Sequence, residues 1–147
     1  MTRFERDITV TLVERDHTRA GPFDVFDKLA WEGNHWREDG DGVNTLVQDT
    51  AAYEQIGFIE FKSTQEKGPQ RFTVAFGLHN GLLWSAINTG YGALTLAQIS
   101  GWYRPNSDLE IIKDLHWRDR QVIHAGRAIR VRYTQTEGQS LSIEVTV

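Results

Sequence analysis

His79 and Asn80 are the residues whose types and spacing best suit molecular recognition. They close an alternating run, Phe72 to His79, and are followed by Gly81 and then Trp84. An imidazole and a carboxamide thrust out of a tight turn offer paired donors and acceptors that match vicinal hydroxyls. An indole beside them would cover the C–H face of a sugar. The group suits carbohydrate binding better than bond-making chemistry, because no carboxylate or nucleophile stands next to it in the chain. A purely conformational reading is also open. Asn-Gly supplies the two positive-φ residues of a type I′ turn whatever else it does.

Other chemistries find less support. The five histidines (His17, His35, His79, His116, His124) form no H-x-H, HExxH or i, i+4 pair, so no metal site is expected. Nucleophile-elbow, Walker and G-x-G-x-x-G patterns are absent, so no enzyme and no cofactor is expected. The acidic groups Asp24/Asp27 and Glu38/Asp39/Asp41 read as solvated loops or edges rather than an acid–base pair. Arg130 and Arg132 share one strand face near Arg127. They either pair with acids of a neighbouring strand or meet phosphate, sialic acid or another subunit. The Trp102-Tyr103-Arg104-Pro105 cluster is equally two-sided, plugging the end of a sandwich or touching sugars or lipid headgroups.

The elements that must position these residues are mostly strands. Phe72, Val74, Phe76 and Leu78 alternate with Thr73, Ala75, Gly77 and His79, as in a strand with one buried face. With Asn80-Gly81 as the whole loop, His79 faces Leu82, Leu78 faces Leu83 and Gly77 faces Trp84. The indole would then lie over a glycine, on the side away from the core. Further strands are predicted over 7–14, 23–31, 43–48, 57–62, 127–134 and 140–147, while 33–42 reads as turn-rich. Between strands six and seven of this count lie one or two short helices. The first spans Tyr91 to Ser100 with Gly101 at C′. The second is marked by a capping box at Ser107-Asp108-Leu109-Glu110. The predicted fold is an antiparallel β-sandwich in one domain over 1–147, with no internal repeat or linker.

Whole-chain properties narrow the setting. A net charge of −4 argues against a nucleic-acid binder. The absence of cysteine excludes disulfides and thiolate metal sites. MTRFERDITVTL lacks the apolar run of a secretory signal, and no run is long enough to span a bilayer. A soluble cytoplasmic protein is expected, with any release by a non-classical route.

Several motifs carry a family resemblance: FTVAFGLHN followed by Trp84, Trp36 after a Gly/Asn turn, and the Trp102-Tyr103 pair. The ending Tyr133-Thr134-Gln135-Thr136-Glu137-Gly138 with Leu141 matches a Tyr-Thr-x-x-Glu-Gly-x-x-Leu pattern. In these the chain resembles the fungal fruit-body lectins, whose sandwich is actinoporin-like. The resemblance implies homotetramers (a dimer being the smaller alternative), no catalysis, a role in defence and two glycan sites per subunit. One would take galactosyl-N-acetylgalactosamine, the other N-acetylglucosamine. For the first, His79 and Asn80 carry over, together with a loop that here reads Thr50-Ala51-Ala52-Tyr53-Glu54-Gln55 instead of Gly/Ser-rich. For the second, Ile87 and Thr89 carry over, whereas the acid position is Ala86 and the arginine and tyrosine positions fall on or near Asp108 and Asp119. Tyr103 joins the candidate sugar contacts. The sequence therefore predicts a lectin for galactosyl/N-acetylgalactosamine-type glycans, bound multivalently. Two alternatives stand beside it. One is an actinoporin-like protein that docks on lipid through Trp102, Tyr103, Arg104 and Trp117 without spanning the membrane. The other is an oligomeric interaction module that has lost its sugar sites.

Overall fold

The computed structural model describes residues 6–14, 23–38, 43–49, 55–63, 70–79, 82–104, 118–124 and 126–147. Alternating apolar residues become strands throughout. In chain order these are β1 (Asp7–Val13), β2 (Phe23–Ala30), β3 (Asn34–Glu38), β4 (Val43–Gln48), β5 (Gln55–Ser63), β6 (Arg71–His79) and β7 (Leu82–Thr89). The helix α1 (Leu96–Gly101) follows, then β8 (Asp119–His124), β9 (Arg127–Gln135) and β10 (Ser140–Thr146). They form two sheets, ordered β3-β4-β1-β10-β9-β8 and β2-β5-β6-β7. The mostly β sandwich is as predicted, with one departure from antiparallel pairing. β1 and β10 run parallel, Asp7 opposite Ser140 through Val13 opposite Thr146. A long excursion of chain separates these two strands, so no hairpin dictates their direction.

Two strands escaped the sequence reading. β3 has a polar, turn-like composition, yet Trp36 packs edge-on against Phe76 at 5.7 Å and its Nε1–H donates to the Leu29 carbonyl at 3.0 Å. β8 is the outer strand of the larger sheet and alternates exposed and half-buried residues, too weakly apolar to stand out. The helix is shorter than predicted. Thr95 caps it, its Oγ1 accepting from the Gln98 amide at 3.2 Å while Gln98 Oε1 accepts from the Thr95 amide at 2.9 Å. Gly101 is the last helical residue instead of a C′ residue, and Trp102 forms the cap in right-handed conformation. The second predicted helix lies outside the described residues.

The central hairpin has the predicted register: His79 opposite Leu82, Leu78 opposite Leu83, Gly77 opposite Trp84. Phe72, Val74, Phe76, Leu78 and Leu83 enter the main core with Ile8, Val10, Leu46, Ile129, Val131, Leu141, Ile143 and Val145 from the larger sheet. The opposite face of the smaller sheet is also apolar. Ile56, Phe58, Ala75, Trp84 and Ala86 pack there under Leu96, Ile99 and Tyr103, forming a second core roofed by α1. The sandwich thus has a third, partial layer.

Tyr133 joins the two sheets. From β9 its hydroxyl accepts from the Gly77 amide at 3.1 Å and lies 2.8 Å from the Trp84 carbonyl and 3.2 Å from that of Gly77. Gly77 has φ of 147°, and a Cβ there would lie 1.7 Å from the Gln55 carbonyl oxygen. Only glycine lets the β6 backbone turn toward the tyrosine at this point.

Candidate carbohydrate site

The sheet register brings two of the predicted segments to one end of the sandwich. His79 and Leu82 are the last pair of the β6–β7 ladder, with Asn80-Gly81 joining them. β5 starts at Gln55, opposite Leu78, beside the end of the β6–β7 ladder. The His79 side chain, Asn80 and Tyr53 themselves lie outside the described residues. What the structure shows is the frame around them. Gln55 is buried and its Nε2 donates to the Arg6 carbonyl at 2.7 Å and the Leu46 carbonyl at 3.1 Å, locking the start of β5 to the larger sheet. Leu82 is about half exposed at the rim.

The expectation that Trp84 offers its indole to solvent is corrected. Trp84 is 0% exposed, and its ring stacks on Tyr103 with centroids 5.6 Å apart and planes 28° apart. It does face away from the main core and lies opposite Gly77, as the alternation requires. That face, however, is the floor of the second core, not a surface. The same packing corrects Tyr103, which is buried against Phe58 and Trp84. Its phenol exchanges hydrogen bonds with the Asn88 amide at 2.8 and 3.1 Å. Burial raises the Tyr103 pKa, against the opposing pull of Asn88. Neither ring is placed to stack on a sugar.

Ile87 and Thr89 lie toward the far end of β7, roughly 17 and 23 Å from Leu82 at strand rise. Both are half-buried, and Ile87 packs against the main core. Asn88, which holds Tyr103, points to the other side of the same strand. Tyr103 is therefore not brought together with Ile87 and Thr89. Asp119 is held by Arg130 at 2.9 and 2.6 Å. That hydrogen bond keeps its carboxyl below the usual range. Asp108 lies outside the described residues.

The remaining candidates resolve into structural roles. Arg130 pairs with Asp119, and Arg132 lies 3.6 Å from Glu144, so the outer face of β9 is a paired surface. Beyond the candidate residues, a buried network forms around Glu60. Arg71 donates to it through Nε at 3.0 Å and Nη2 at 2.7 Å, and the Tyr91 hydroxyl makes a short bond to the same oxygen. Burial, then the bond to Glu60, lift Tyr91 to about 12. Arg71 also donates to the Gly92 and Leu94 carbonyls, tying the segment after β7 to the sheet. No sequence signal marks this network, since Glu60 and Arg71 meet only across the β5–β6 ladder. His35 was likewise missed. Its Nδ1 lies 2.7 Å from the Asp49 carboxylate, and the Asp49 amide donates to the Gly33 carbonyl at 2.6 Å, fixing the chain just before the Tyr53 segment. Among the described residues no three His, Asp or Glu side chains gather as a metal site would require.

The fold is a two-sheet β-sandwich with a second core roofed by a helix. The chain belongs to the fungal fruit body lectin family, whose model matches residues 5–145. It is similar to the solved wild-type Xerocomus chrysenteron lectin XCL, with 29% identity, a TM-score of 0.82, and coverage of 97% of this chain and 98% of that one. A triple-methionine variant of the same lectin gives 28% identity, a TM-score of 0.83 and 99% coverage of both chains. No curated protein matches the chain significantly.

Proposed function

We propose that this lectin binds galactosyl/N-acetylgalactosamine-type glycans, without catalysis, at the β6–β7 hairpin tip through His79, Asn80 and the Tyr53 segment. The observation that carries the reading is the register. It ends the ladder at His79 and Leu82, leaving Asn80-Gly81 as the connection, and it sets Gln55 beside that end. An amide at such a tip can bond two adjacent hydroxyls at once. The burial of Trp84 and Tyr103 leaves Leu82 as the described apolar group nearest the tip, so the site relies on hydrogen bonds more than on stacking.

A single site of this kind binds weakly. Homo-oligomers presenting several sites together, as tetramers or dimers, would raise apparent affinity by about 10²–10⁴. A glycan array on the purified protein tests the proposal. Binding to terminal galactose or N-acetylgalactosamine, lost in Asn80→Ala with the melting temperature preserved, is the expected result. Silence of the whole array, or binding unaffected by Asn80→Ala, overturns it. The lipid-docking alternative loses its main support, because Tyr103 is in the second core and Trp102 packs against it.

A further inference from the structure

Strand β2 carries a bulge. Its pairing with β5 runs from Phe23 opposite Ser63 to Val25 opposite Phe61 and resumes at Asp27 opposite Glu60, so Phe26 is the inserted residue. A bulge bends its strand and re-aims the extra side chain. Here it leaves a phenylalanine in water. Phe26 is 55% exposed, more than any other aromatic side chain among the described residues.

The ring stands among polar groups that do not satisfy one another. The Lys62 ammonium lies 4.7 Å from its centre and the Arg71 guanidinium carbon 5.8 Å. Lys62 and Arg71 are directly opposite each other across β5 and β6, and like charges so placed cost stability. Glu60 neutralises Arg71 at 2.7 Å. Among the described residues no carboxylate pairs with Lys62. Asp24 is exposed and opposite Lys62 on the other side of β5, yet the two form no ion pair. An ammonium and a carboxylate thus flank an exposed ring with their bonding capacity unspent. Departures from local stability rules that gather at one place mark a functional position. The Arg71 guanidinium also lies 4.8 Å from the Tyr91 ring centre, and both residues line a cleft of about 210 Å³ with Gly92 and His124.

We propose that this patch is a second carbohydrate platform, on which Phe26 receives the C–H face of a neutral pyranose while Lys62 and Asp24 bond its hydroxyls. A hydroxyl accepts from an ammonium and donates to a carboxylate, so one uncharged ligand satisfies both groups. An anionic ligand would instead meet the carboxylates of Asp24 and Asp27, which flank Phe26 in the chain. The cleft beyond Arg71 is smaller than the roughly 300 Å³ at which whole small-molecule sites begin, so it suits one further ring of a short oligosaccharide. Arg71 and His79 end β6 on opposite sides, about 27 Å apart at strand rise. The platform therefore shares no residue with the hairpin tip, and it uses neither Ile87 nor Thr89. It rests on the glycan reading above only for the class of its ligand.

Amide NMR shifts of the full chain, titrated with the methyl glycosides of galactose, N-acetylgalactosamine, N-acetylglucosamine and mannose, test the platform. At least one should shift the amides of residues 24–28 and Lys62. That binding should persist in Asn80→Ala and weaken about tenfold in Phe26→Ala, the equivalent of one aromatic contact. Phe26→Trp, which restores a flat ring, should keep it. Lys62→Met and Asp24→Ala should each weaken it several-fold without touching the ring. Because Phe26 is largely exposed, Phe26→Ala should melt close to wild type. Amides of β2 unmoved by all four glycosides, or equal affinity in Phe26→Ala, overturns the platform. So does a large drop in the melting temperature of Phe26→Ala, which would make the ring a structural one. Tighter binding of methyl glucuronide than of methyl glucoside overturns the neutral occupant. Shifts at β2 with none abolished by Asn80→Ala strike the hairpin reading alone, and the reverse pattern strikes only the platform.

Discussion

Removing one hydroxyl should show how the hairpin is held to the opposing sheet. In Tyr133→Phe the ring remains in the main core while Gly77 N–H and the Trp84 and Gly77 carbonyls lose the oxygen they share, at 3.1, 2.8 and 3.2 Å. All of these groups are buried. The hydroxyl accepts one bond and donates one proton, so two interactions disappear, each orphaned group costing about 1–3 kcal/mol. A loss of about 2–4 kcal/mol is expected, against a typical total of about 5–15 kcal/mol. For a chain of this length that lowers the melting temperature by roughly 5–15 °C. Urea unfolding followed by tryptophan fluorescence should show a shifted midpoint with an unchanged slope, because the surface exposed on unfolding is the same. A loss below about 0.5 kcal/mol, within the range of an ordinary surface change, would refute the idea that this hydroxyl clamps the sheets.

Trp84→Ala should cost about 3–5 kcal/mol, as for a large ring removed from a core, whereas Trp84→Phe should leave saccharide affinity in titrations unchanged. Loss of binding in the folded Phe variant would return the indole to the sugar site. Alkaline pH should destabilise the protein through its buried tyrosines. Burial, with the Glu60 bond added, holds Tyr91 at about 12, and burial also raises Tyr103 and Tyr133. A folded pKa above the unfolded value near 10 means the contribution is complete below about pH 10 and disappears as pH climbs through the folded values. Urea midpoints should fall between about pH 10 and 12, and less steeply in Tyr91→Phe; identical slopes in the two proteins would contradict this.

Much of the fold was legible from local pattern. The Phe72–His79 alternation and the Asn-Gly pair sufficed for the hairpin register, because strand period and turn length leave one solution. The strongly apolar strands β1 and β10 were visible for the same reason, though their parallel pairing was not. β3 and β8 were lost because edge and outer strands bury little and so alternate weakly. The Thr95-Gln98 capping box was a readable signal that the apolar spacing upstream obscured. In the candidate site, His79, Asn80 and the Tyr53 segment could be nominated from residue type, and only the β5–β6 pairing sets Gln55, the start of β5, beside the end of β6.

Residue alternation by itself determined which face of each strand Trp84, Ile87 and Tyr133 would take, since successive side chains must point to opposite sides. Only the tertiary structure decided what those faces meet. Helix α1 closes over the face carrying Trp84 and turns an expected sugar platform into core. Phe23 of the smaller sheet covers the Arg127 guanidinium, which among the described residues pairs with no carboxylate. Strand period is a local backbone property, whereas burial depends on segments distant in sequence, and no pattern within one strand encodes them.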